Sequence, residues 1–127
     1  MNKTGNSEES MKNWNKYFNA PVYESSKSSY SLRFQTEFER SLMKLFDANS
    51  EITDYFQPLM EISMDGQLEE AWLRIDFWLE CSGGKTILVH VVNEDSFNEP
   101  LNLFKQAKTF CRDSNFELLL LRPAGNH

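Results

Sequence analysis

Asp76 sits between Ile75 and Phe77, in an apolar stretch. A carboxylate buried there is costly without a partner, so the position invites a site role. Glu39 belongs to a second element, in the run Thr36-Glu37-Phe38-Glu39. It is open to two readings: a ligand carboxylate, or the acid of a helix-start capping box. His90 lies inside Thr86–Val92, a run rich in β-branched residues. Its imidazole is a poor partner for Mg²⁺ and a better one for Mn²⁺ or Zn²⁺; the plainer alternative is a satisfied core or edge histidine. Glu94 and Asp95 follow that run and offer further carboxylates. Lys105 and Lys108 are the cations that could reach across from the next helix, or simply its wet face, while Lys85 lies at the opposite end of the run. Cys81 and Cys111 have no CxxC spacing and no histidine pairing that would make a zinc site. They read as ordinary semi-buried thiols. Trp72 and Trp78 suit sheet packing better than base stacking.

The elements that must position these residues follow from apolar spacing. Phe34, Phe38, Leu42 and Leu45/Phe46 recur at helical intervals, predicting a helix near 31–47. The capping box places its true start later than Ser31. Asp47-Ala48-Asn49-Ser50 ends it. Ile52–Tyr55 is a short extended piece stopped at Gln57-Pro58. Leu59, Ile62 and Met64 lead into Asp65-Gly66, a hairpin signal, with Trp72–Leu79 returning. After the turn Ser82-Gly83-Gly84-Lys85, the run Thr86–Val92 reads as a strand buried on both faces. Pro100 opens a helix through about Asp113, with Leu103/Phe104, Ala107 and Phe110/Cys111 as its inner stripe. Leu118–Leu121 is the last strand. The crossover helix makes the two apolar strands parallel neighbours. The predicted order is αβββαβ: an α/β domain with a four-stranded mixed sheet flanked by helices. Residues 1–28 read as an irregular tail with docking aromatics around Trp14, 29–123 as the domain, and 124–127 as a C-terminal tail.

That order, with an acid on the first helix and another on a central strand, resembles the PD-(D/E)XK restriction-endonuclease-like core. Thr36-x-x-Glu39 on a helix, Ile52, then Tyr55-Phe56-Gln57-Pro58, then Gly66 and Ile75-Asp76-Phe77 resemble the N-terminal nuclease domain of TnsA. TnsA is the endonuclease subunit of heteromeric transposases. The resemblance covers about residues 30–122. It implies Glu39 and Asp76 as metal carboxylates, with Mg²⁺ or Mn²⁺ polarising the phosphate and lowering the pKa of the attacking water. The departure lies at the family's Glu/Gln-x-Lys, where this chain reads His90-Val91-Val92. Valine cannot orient water or stabilise developing charge. His90 would then complete the metal set and Lys108, or Lys105, would assist from the next helix.

Charge narrows the function classes. The chain has 127 residues, 40% hydrophobic and 25% charged, and a net charge of −6. Residues 1–46 carry seven Lys/Arg against five Asp/Glu, whereas residues 47–127 carry six against fourteen. Composition therefore argues against autonomous tight binding to DNA, which needs clustered cations. No membrane span or secretory leader is read, and a cytoplasmic setting is expected. Three functions are expected from these residues. The first is a TnsA-like component of transposition with an eroded site, binding or regulating partners. Its expected partners are the transposase and the ATPase regulator, with DNA contacted within the complex and a homo- or heterodimer possible. The chain's end at His127, without a further C-terminal domain, fits a specialised role. The second is an active metal-dependent endonuclease with a relocated lysine. The third is a phage or mobile-element interaction protein reusing the fold.

Overall fold

The computed structural model describes residues 17–58, 60–63, 72–92 and 101–123. The Asp65-Gly66 turn, Glu94, Asp95, Pro100, Trp14 and residues 124–127 lie outside them, as do the side chains of Trp72, Leu103 and Phe104.

Tyr17 and Phe18 are helical, and two short strands, β1 (Val22–Tyr23) and β2 (Leu32–Arg33), then pair antiparallel ahead of the helix α1 (Glu37–Ala48). The helix is thus shorter than the apolar spacing predicts. Phe34 keeps helical spacing but lies in the approach to the helix, packed against the same core cluster. The start is set by Thr36, whose backbone is extended (φ −137°, ψ 160°) and whose Oγ1 accepts the Glu39 N–H at 3.1 Å.

Among the described residues five strands lie between α1 and a later helix, α2 (Leu101–Asp113): three enter the four-stranded mixed sheet, as expected, and two form a separate pair. They are β3 (Ile52–Phe56), β4 (Met60–Ser63), β5 (Trp72–Ile75), β6 (Phe77–Cys81) and β7 (Thr86–Val91). The final strand is β8 (Glu117–Leu121). The main sheet is mixed, in the order β3-β6-β7-β8, with β7 and β8 parallel and the other pairs antiparallel. β4 and β5 form a separate antiparallel pair. The returning strand expected over Trp72–Leu79 is therefore split at Asp76, and its halves pair with different partners. The β6–β7 turn is closed by Ser82–Gly84, where Gly83 and Gly84 take φ near +80°, a region glycine enters without a Cβ clash.

Alternation along β7 gives the sheet two packed faces. Val89 points into a cluster with Met43 and Phe46 of α1 and Tyr55 and Phe77. Leu88 points the other way, onto Ala107 and Cys111 of α2 and Leu118. The helices thus cover opposite faces. α2 ends in a Schellman turn: the Phe116 N–H reaches Cys111 O at 2.7 Å, the Asn115 N–H reaches Arg112 O at 3.0 Å, and Asn115 is left-handed (φ 70°). Trp78 stacks on Phe56 and meets Phe116 edge-on, the packing role expected of it. Cys81 and Cys111 are free thiols. Among the described residues no helix is long and apolar enough to cross a membrane.

The segment 17–28, read from sequence as part of an irregular tail, is bound to the body by polar contacts. Asp47, near the end of α1, accepts hydrogen bonds from Tyr23 (2.9 Å), Ser25 (2.6 Å) and Tyr55 (2.8 Å) hydroxyls. Lys27 Nζ donates to the carbonyls of Phe46 (3.0 Å) and Asn49 (2.6 Å), which terminate the helix. Burial pushes the Asp47 carboxyl up, but the donors around it outweigh that and hold it below its usual 3.8. This contribution is complete above the unfolded Asp value and is lost as pH falls through the lower folded one. Tyr55→Phe keeps the ring and removes one donor to the carboxylate. It is expected to cost about 1.5–3 kcal/mol, the range for hydrogen bonds to charged groups. The readout is a lower urea midpoint at unchanged slope; an unchanged midpoint would show that the network contributes nothing.

Candidate functional site

Asp76 occupies the break between β5 and β6. Its own N–H donates to Val89 O at 2.7 Å. The pairing Phe77↔Val89 would, in an unbroken strand, set Ile75 opposite Val91, but Ile75 pairs with Met60 instead. The Asp76 side chain fills the gap: Oδ2 accepts the Val91 N–H at 2.7 Å. On its other oxygen, Arg74 Nε lies 3.2 Å from Oδ1. Arg74 comes from β5, two residues earlier, and shares the carboxylate's side of the chain.

Glu39 approaches from the first turn of α1. Its Oε1 accepts the Gln35 N–H at 2.6 Å, a capping contact displaced by one residue from the usual box. The capping and site readings therefore coexist in one side chain. Glu39, Asp76 and Arg74 line a small cavity of about 10 Å³, near the space one water needs. Tyr17, Gln35, Gln57, Ile75 and Phe77 form the rest of its wall. The Gln57 amide behaves as an extra peptide group: Nε2 donates to Arg33 O (2.7 Å), and Oε1 accepts from the Arg33 N–H (2.9 Å) and the Tyr17 hydroxyl (2.8 Å). Pro58 follows it and cannot donate to a ladder.

Burial raises the Asp76 carboxyl to about 6, against the pull of Arg74 and the Val91 N–H. Glu39 is also raised, first by burial and further by the nearby Asp76 charge, while the Gln35 N–H, Arg74 and Thr36 act against the rise. Two acids thus share one guanidinium in a poorly hydrated space.

His90 stands apart. It is buried, on the β7 face that carries Leu88, away from α1. Its Nδ1 is 2.7 Å from Arg74 O, so that nitrogen carries the proton and donates. It lies 3.8 Å from Asp76 Oδ2 and does not line the cavity. Among the described residues no three His, Cys, Asp or Glu side chains converge as a metal set. The structure thus brings Glu39 and Asp76 together and leaves His90 behind them. Lys105 and Lys108 line a different hollow on the outer side of α2. Lys85 is paired with Glu117 at 2.7 Å. Val92 is buried, its N–H bonded to Leu121 O at 2.7 Å.

Arg74 is the member that sequence reasoning passes over; Gln57 is expected only as part of the Tyr55–Pro58 motif, and Tyr17, expected with Phe18 among the exposed aromatics of the tail, is instead buried against Gln57. For Arg74 the signal was present: a cation flanked by Leu73 and Ile75 and spaced i, i+2 from the buried acid. Comparison of the chain with family models, curated proteins and solved structures finds no match.

The raised Asp76 pKa fixes a pH dependence. An acid that binds its proton more tightly in the fold than in the unfolded chain carries no penalty below about pH 4. The penalty grows as pH rises to about 6 and is complete above it. Two units correspond to on the order of 2–3 kcal/mol. Asp76→Asn removes the titration. Relative to wild type, its urea stability is expected to improve by about 2 kcal/mol as pH rises from 4 to 7. A difference that stays constant with pH would contradict the assignment.

Proposed function

We propose that this chain is a PD-(D/E)XK restriction-endonuclease-like domain of the TnsA type in which an arginine holds the acidic centre, and that it acts as a binding or regulatory subunit of a transposition complex. The mixed sheet with one helix on each face supports the fold reading. So does the meeting of an acid from α1 with an acid at the head of β6.

The observation that carries the functional reading is Arg74 against Asp76, 3.2 Å apart, in the cavity that Glu39 also lines. The residues do not fit the divalent ion that the family pattern implies. Mg²⁺ takes near-octahedral oxygen ligation and keeps several waters. Here the space is that of one water, and the positive charge beside Asp76 is a guanidinium. The nearest imidazole nitrogen of His90 is a donor, not a ligand. With Val92 buried at the lysine position, the residues retain the shape of a phosphodiesterase site without its charge-stabilising group. What remains is a folded platform for partner proteins, for which the resemblance points to a transposase and an ATPase regulator, with DNA engaged inside the assembly.

Supercoiled plasmid incubated with the purified chain and Mg²⁺ or Mn²⁺ is expected to stay intact. Arg74→Gln is expected to bind Mn²⁺ at least about fivefold more tightly than wild type, because a unit charge near 4 Å contributes about 1–4 kcal/mol. Nicking by the wild type that vanishes in both Asp76→Ala and Glu39→Gln would replace this reading with that of an active endonuclease. Where the gene lies beside transposase and ATPase genes, the chain is expected to co-purify with one of their products. Failure to do so would remove the transposition role.

A further inference from the structure

The outer side of α2 carries a row of cations that the net charge conceals. Lys105, Lys108, Thr109 and Arg112 are exposed and recur at i, i+3, i+4 and i+7, so they form one stripe. Ala107 and Cys111 occupy the inner side, packed on the sheet. From Lys105 to Arg112 the helix rises roughly 10 Å. The stripe borders an open hollow of about 620 Å³, whose far wall is the start of β8. The acid on that wall, Glu117, is already neutralised by Lys85 at 2.7 Å.

Elsewhere the described cations are mostly engaged. Lys27 caps α1, Arg33 Nη1 donates to Ala20 O, Arg40 pairs with Glu37, and Arg74 pairs with Asp76. The three stripe cations form no ion pair among the described residues. In a chain of net charge −6, this helix face thus gathers three unpaired cations among the described residues, where Lys44 of α1 stands alone.

We propose that this face contacts the phosphate backbone of a nucleic-acid duplex. A duplex carries one charge per about 1.7 Å of axis, so a stripe of this length spans several phosphates. Thr109 adds a hydroxyl donor between the cations. An acidic peptide is less well matched, because the apolar residues of the hollow are half-buried (Phe116) or buried (Leu118) and give a peptide no exposed anchor. The contact lies across the sheet from the Glu39–Asp76 cavity and does not depend on it. It is a tether that holds a duplex without presenting it to the acid pair.

The test is fluorescence anisotropy of the full chain with labelled DNA and RNA duplexes of about 20 bp. With three phosphates neutralised, log K should fall against log salt with a slope near −2.7, a loss of about 40-fold between about 50 and 200 mM. K105Q/K108Q/R112Q should weaken binding at least about tenfold and flatten the slope, while Lys44→Gln, an exposed lysine of α1, should change neither. Lys108→Glu, a single reversal, gives the same direction should the triple variant not fold. Binding of DNA, of RNA or of both supports the proposal. Binding of neither duplex at about 50 mM salt overturns it. So does a folded variant that keeps the wild-type slope, or a polyglutamate peptide bound more tightly than both duplexes.

Discussion

The hydrogen bond from the Val91 N–H to the Asp76 carboxylate is what allows this chain to leave one sheet and enter another. In an antiparallel ladder each N–H facing a neighbour needs an acceptor. β5 turns away to pair with β4, which would strand the β7 N–H at the fork. The carboxylate supplies the missing acceptor. That places an acid where it loses most of its water, and a buried acid demands a cation. Arg74, Glu39 and the cavity between them follow from that one substitution of side chain for backbone.

The same logic gives each acid of the cavity a second task in the fold. Asp76 has structural work independent of any ligand, since it closes the fork. Glu39 has work at the helix start, where it accepts the Gln35 N–H. Removing either acceptor oxygen would leave a backbone N–H without its partner. His90 and Val92 carry no such dual duty, since neither lines the cavity.

Much of the architecture was legible because it rests on apolar periodicity. The central strand Thr86–Val91 and the parallel last strand are readable from runs of Ile, Leu and Val, and the crossover helix from its apolar spacing, although Phe110 of the expected inner stripe is exposed. The capping box at Thr36 and Glu39 was legible as well, though Phe34 extended the apparent helix backwards by mimicking its spacing. The strand break at Asp76 was not legible, because Leu73, Ile75, Phe77 and Leu79 alternate without interruption and nothing local marks a change of partner. The segment 17–28 was misleading for the opposite reason. Its serines, tyrosines and Lys27 carry little hydrophobic signal, and their hold on the body comes from hydrogen bonds to Asp47, Tyr55 and the end of α1. Of the site, the two acids were visible as types at suggestive positions, while Arg74 was hidden by the assumption that its stretch was apolar.

The serines of that N-terminal segment have a second consequence. β3 is an outer strand of the main sheet, with one side turned away from β6. Ser28 donates to the Tyr55 carbonyl at 2.6 Å, and Ser29 holds the Asp54 carboxylate at 3.0 Å. These contacts occupy one backbone carbonyl and one side chain of a margin that would otherwise be open to a strand from another molecule. Proteolytic clipping within residues 17–28 would thus convert a guarded margin into an adhesive one, and self-association would rise before the fold itself gave way.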